Sequence, residues 1–114
     1  MTLAALLGLG GTDRMMRAPE EALEAIGVAL PGFPAIDAVT AEDGRTALAV
    51  TADRRVAVVR VRGTRVSGRE VTWPMLRQTA EGIVVETGDR RLGDLTLVGV
   101  TALDVRRLGQ AMAA

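Results

Sequence analysis

The stretch 46–62, TALAVTADRRVAVVRVR, restricts the possible folds of this chain more than any other: two runs rich in Val, Ala and Leu flank the polar connection Ala52-Asp53-Arg54-Arg55. Small and β-branched side chains suit a pleated, half-buried surface, and a short polar break between two such runs reads as a β-hairpin. The idiom continues from 35 to 100, where apolar runs are broken roughly every eight to twelve residues by Gly, Asp or Arg. Strands are expected at 35–40, 46–51, 55–62, 67–72, 75–79, 83–87 and 91–98. Turn chemistry separates them, at Glu42-Asp43-Gly44-Arg45, Ala52-Asp53-Arg54, Gly63-Thr64-Arg65, Glu81-Gly82 and Gly88-Asp89-Arg90. In the second strand Ala47, Ala49 and Thr51 alternate with Thr46, Leu48 and Val50. The third is apolar on both faces until Arg60 and Arg62, which makes it a central strand, covered on both sides for most of its length.

Two helices are expected beside the strands. Pro19 suits a first helical turn, Glu20 and Glu21 favour its positive end, and Ala22, Leu23, Ile26 and Leu30 recur at helical spacing. Pro31-Gly32-Phe33-Pro34 ends that helix. Thr101 caps a second one, in which Val105, Leu108 and Met112 form a stripe and Arg106 and Arg107 face water. The fold class is therefore mainly β within α+β: a seven-stranded antiparallel barrel or sandwich, a C-terminal helix capping it, and an additional N-terminal helix. At 114 residues the chain suits one compact domain, with 1–34 as an arm and helix packed on the body formed by 35–114.

Composition removes several classes of function. There is no Cys and no His, so disulfide frameworks, zinc sites of the usual ligand types, thiol nucleophiles and imidazole bases are all missing. Ser67 has no His to activate it, and Glu20 and Glu24, a carboxylate pair at helical spacing, lie off the apolar stripe. The expectation is a protein that is not an enzyme and needs no cofactor or metal. Fourteen basic residues balance fourteen acidic ones, and all the basic residues are Arg, a usage that fits a GC-rich genome. With no net field and with Phe33 and Trp73 as the only aromatic residues, nucleic acid is not an expected partner. The N-terminal MTLAALLGLGG is about half the length that spans a bilayer, so no transmembrane segment is expected. It reads as a short helix or arm that packs on a neighbour or on the body, and the expected compartment is the cytoplasm.

Seven antiparallel strands followed by one helix, with LAVTADRRVAVVRV as strand, turn and strand, resemble the bacterial pleckstrin-homology-like domains over roughly 35–112. The phrase Val50-Thr51-Ala52-Asp53-Arg54-Arg55-Val56 is similar to a Thr-x-x-Arg turn of that family, and Glu70-Val71-Thr72-Trp73-Pro74 to the polar stretch before its fifth strand. The resemblance implies a non-catalytic binding scaffold for peptides, lipid head groups or self-assembly. Lipid-binding members place basic residues on the loops after strands one, three and six. Here those loops carry Arg45, then Arg65 and Arg69, then Arg90 and Arg91, with Glu42, Asp43, Asp89 and Asp94 on or near them. Five guanidinium groups at one end could hold a phosphate.

Two functional expectations follow. The first is protein–protein contact, including contact with further copies of the chain, for which Trp73 is a candidate anchor. The second is recognition of an anionic lipid head group or phosphorylated ligand by the Arg-bearing loops. Trp73 has a plainer reading as a lid over the edge of the core, and Met15 and Met16 one as filling under a loop.

Overall fold

In the computed structural model, which describes residues 15–108, seven strands form two antiparallel sheets accompanied by two helices. The order is α1 (Pro19–Ala29), β1 (Ala35–Thr40), β2 (Thr46–Thr51), β3 (Val56–Arg62) and β4 (Arg65–Val71). A short 3-10 turn (Trp73–Met75) leads to β5 (Leu76–Gln78), β6 (Gly82–Glu86), β7 (Asp94–Val98) and α2 (Ala102–Arg107). The hydrogen-bonded order is β1-β2-β3-β4 in one sheet and β5-β6-β7 in the other, so each sheet is a simple meander. No helix among the described residues is long and apolar enough to cross a membrane.

The four-stranded sheet is covered on both faces, and the alternation in β2 shows how. Leu48 and Val50 point inward with Val56, Val58 and Val71, where they meet Ile83, Val85, Leu95 and Leu97 of the second sheet. Ala47 and Ala49 point outward with Ala38, Ala57, Val59 and Val61, where they meet Ala22, Ala25 and Ile26 of α1. Every residue of β2 is buried, and β3 is buried until Arg60. A surface of alanines lets a helix come close, and Gly68 on β4 continues it. A Cβ there would lie 3.0 Å from the Ala29 Cβ and 3.1 Å from the Val58 carbonyl oxygen. Met16 fills the space beneath the 41–45 connection, fully buried, with its N–H donating to the Gly44 carbonyl at 2.8 Å.

Local chemistry accounts for the helix ends. Glu21 Oε1 accepts from the Arg17 and Ala18 N–H groups at 2.7 and 3.0 Å, taking up donors the first turn of α1 leaves open. Thr101 and Asp104 form a reciprocal capping box on α2, each side chain accepting from the other's N–H. Val105 packs on the inner core and Leu108 is buried in it, while Leu103 is 54% exposed. Met112 and the segment 1–11 lie outside the described residues.

Five strands depart from the sequence expectation at their ends, β3 and β6 by a single residue and three others by more or for a visible reason. β4 extends back to Arg65, because the two-residue turn Gly63-Thr64, with Gly63 at φ +61°, pairs Arg62 directly with Arg65. The strand expected at 75–79 shortens to Leu76–Gln78, since Pro74 brings no N–H and Met75 N–H closes a turn onto the Thr72 carbonyl. The strand expected at 91–98 begins at Asp94, because residues 87–93 fold into a closed loop of their own.

Candidate functional site

The period of two in β3 carries the apolar face straight into a charged one. Val56, Val58, Arg60 and Arg62 share one side of the strand, and in register with them on β4 stand Val71, Arg69, Ser67 and Arg65. Half of this inner face is therefore apolar and lies under the second sheet. The other half presents Arg60, Arg62, Arg65 and Arg69. Arg62 stands directly opposite Arg65, a like-charge pair that a hairpin does not favour on its own account.

The 87–93 loop adds to this face. Thr87, wholly buried, donates its hydroxyl to the Gly93 carbonyl at 2.7 Å and accepts from the Asp89 N–H. Asp89 Oδ1 accepts from the Arg91 and Leu92 N–H groups at 2.7 and 3.3 Å, and the Gly93 N–H closes back onto the Asp89 carbonyl. Leu92 is buried, which leaves Arg90 and Arg91 displayed outward on an internally bonded loop. The loop reaches the sheet at two points. Asp89 Oδ2 accepts from Arg69 Nη1 at 3.3 Å, and the Arg91 and Leu92 carbonyls receive the Arg60 guanidinium at 3.5 Å. Both Arg60 bonds are long, and its buried Nε has no partner among the described residues.

Among the described residues, carboxylates leave most arginines of the inner face unpaired. Of the four acidic residues on the neighbouring loops, Asp89 touches one of its arginines through a side-chain bond. Asp43 accepts from the Arg45 backbone N–H, Glu42 lies against Gly99, and Asp94 stands opposite Glu86 on the second sheet. The Arg91 and Leu92 N–H groups, aided by the Arg69 and Arg91 charges, hold the Asp89 carboxyl below its ordinary value despite some desolvation. Asp89 thus stays ionised as the staple of its own loop.

Of the residues singled out from the sequence, Arg65, Arg69, Arg90 and Arg91 come together here. Arg45 belongs to the same end of the sheet, its carbonyl accepting from Val61 N–H at 2.8 Å. Arg60 and Arg62 complete the face without having been counted among the candidates. Their signal was available, because strict alternation from Val56 and Val58 places them on the inner side.

Trp73 does not belong to this group. It lies at the opposite end of β3, where the 51–55 turn is closed by a Thr51 clamp: the hydroxyl donates to the Asp53 carboxylate and accepts from Arg55 N–H. That hydroxyl is the main reason the Asp53 carboxyl is held below its ordinary value. Arg54 takes φ +70°, uncommon for a residue with a side chain, and its partners secure it there. Its carbonyl accepts from the Trp73 indole N–H at 2.9 Å, its guanidinium lies 5.1 Å from the centre of the Trp73 ring, and Nη1 donates to the Leu108 carbonyl at 2.6 Å. Arg55 forms a two-pronged pair with Glu70, both bonds 2.8 Å, and sits 5.3 Å from the Phe33 ring centre. The Arg55 hydrogen bonds hold the Glu70 carboxyl low, and Glu70 in turn raises Arg55.

Comparison with known proteins gives no matching family model, no matching curated protein and no matching solved structure.

Proposed function

We propose that this protein is a non-catalytic binding module that docks an acidic surface of a protein partner on its arginine-lined face. The observation that carries the reading is the hairpin register. Arg62 opposite Arg65, with Arg60 and Arg69 on the same side, concentrates positive charge in a chain whose formal net charge is zero. Such an arrangement is unfavourable until an anionic surface meets it, and guanidinium groups suit two-pronged bonds to carboxylates. A pleckstrin-homology-like architecture is part of the proposal, supported by the division into four and three antiparallel strands followed by a helix. A non-catalytic role is supported by a sequence without His or Cys.

A second reading, an anionic lipid head group or phosphorylated ligand on the same face, is favoured by the unpartnered Arg60 Nε beneath it. One experiment separates the two. Binding of a polyglutamate peptide and of neutral and anionic vesicles is measured at low and physiological salt, for the native protein and for R62E/R65E/R91E. Peptide binding that weakens with salt and disappears in the variant supports the protein reading. Binding of anionic vesicles alone transfers the face to the lipid reading, and binding of neither overturns both.

A further inference from the structure

At the far end of β3 from the arginine face, a groove of about 220 Å³ runs between the 3-10 turn and α2. Trp73, Leu76, Ile83, Ala102 and Val105 line it, so its surface is mainly apolar. Trp73, Leu76 and Val105 are half-buried members of the inner core, which the groove exposes from the side. We propose that this groove is a separate binding site for a small apolar body carrying one negative charge, an aryl or short-chain acyl carboxylate or sulfonate.

Size, charge and rigidity each contribute to the assignment. A dry cavity of about 150 Å³ accommodates benzene, whereas pockets for drug-sized ligands start at about 300 Å³; this groove falls between them, room for one or two small rings lying partly in solvent. The mouth is cationic. Arg77 and Arg106 stand at it, and no Asp or Glu among the described residues lines the groove. Arg77 is already paired with Glu86 at 3.1 Å, whereas Arg106 has no ion-pair or hydrogen-bond partner among the described residues. One unmatched positive charge above an apolar floor is complementary to a single anionic group on an apolar body.

The walls are also set before any ligand arrives. Arg54 accepts the Trp73 indole N–H on its carbonyl and lays its guanidinium over the ring. The same guanidinium donates to Leu108 at the end of α2, so one side chain ties both sides of the groove. A site held in this way loses little freedom on binding. Nothing in the assignment depends on the arginine-lined face.

The test uses 8-anilinonaphthalene-1-sulfonate, an aryl body with one anionic group, and N-phenyl-1-naphthylamine, the same body without the charge. Trp73 is the only tryptophan, so its emission reports on the groove. The expected result is saturable quenching of Trp73 at one equivalent of the sulfonate. Arg106→Glu should weaken that binding about fivefold while leaving the neutral probe unaffected, and R62E/R65E/R91E should change neither. Ala102→Phe, checked for native circular dichroism, should abolish both by filling the groove. An unsaturable signal, equal weakening of both probes by Arg106→Glu, or full binding by a folded Ala102→Phe variant would overturn the proposal.

Discussion

Arginines stand at both ends of β3, and the two groups behave in opposite ways. At the 51–55 turn, Arg54 and Arg55 are drawn into the protein: one bridges Trp73 and Leu108, the other grips Glu70 and lies against Phe33. At the 62–65 turn, Arg62 and Arg65 face each other, and among the described residues no carboxylate bonds to either. Residue type is the same at both ends, with Arg54 and Arg55 in a turn and Arg62 and Arg65 at the ends of paired strands. The decisive difference is the neighbours brought in from elsewhere in the chain. Arginine is architectural where an aromatic face, a helix end or a carboxylate has been supplied, and is available to a ligand where none has.

The difference between the two ends is expected to be largest at Trp73. Trp73→Ala removes the ring beneath Arg54 and the donor to its carbonyl, and for a half-buried indole it should cost about 2 kcal/mol in urea unfolding. Arg62→Ala, measured alongside, should leave stability within about 0.5 kcal/mol. Equal losses would mean that the two ends are not different after all. Next in size, Arg54→Ala should cost about 1–1.5 kcal/mol, since it forfeits the stacking and the Leu108 bond while retaining the unfavourable φ. Arg54→Gly should recover part of that loss, because glycine accepts φ +70° without strain.

Charge reversal gives a smaller effect with opposite signs at the two ends. Arg62→Glu places a carboxylate across from Arg65 and should stabilise the fold by ~0.5 kcal/mol while abolishing polyglutamate binding. Arg55→Glu sets two carboxylates against each other at Glu70 and should lower the melting temperature. A fall in both variants would show that the hairpin end also carries a structural role.

The smallest effect is a titration. Arg55 depresses the Glu70 carboxyl, so the stability this pair contributes is present above the ordinary glutamate range and is lost as pH falls through the lowered native value. Arg55→Gln should move the Glu70 midpoint, followed by NMR, upward toward the ordinary value and remove that acid-side loss.

Much of this arrangement is legible in the chain before it folds. The bounds of β1 and β2 and the starts of α1 and α2 follow from apolar periodicity, from Pro19 and Thr101, and from the polar breaks between runs. The alternation of Ala47 and Ala49 with Leu48 and Val50 already separates a face of small residues from a face of large ones. What covers the small face is not written locally. α1 reaches it from the other side of the 30–34 connection, and Gly68, twenty residues or so further along, completes the seat through its closeness to Ala29. The closed loop at 87–93 is similarly hidden, since its shape depends on how Thr87 and Asp89 bond to its own backbone rather than on periodicity.

Strand and helix content, the two-faced burial of β3 and the placement of arginines at particular turns are readable from the chain alone, because they depend on period and on nearest-neighbour chemistry. Which arginines find partners among the described residues was settled by tertiary contacts. Arg55 meets Glu70 fifteen positions away and Arg54 meets Leu108 fifty-four positions away, whereas among the described residues nothing comparable reaches Arg62 and Arg65. Pairing of charges is a property of distance in space, and a chain read in order holds no measure of it until its sheets have formed.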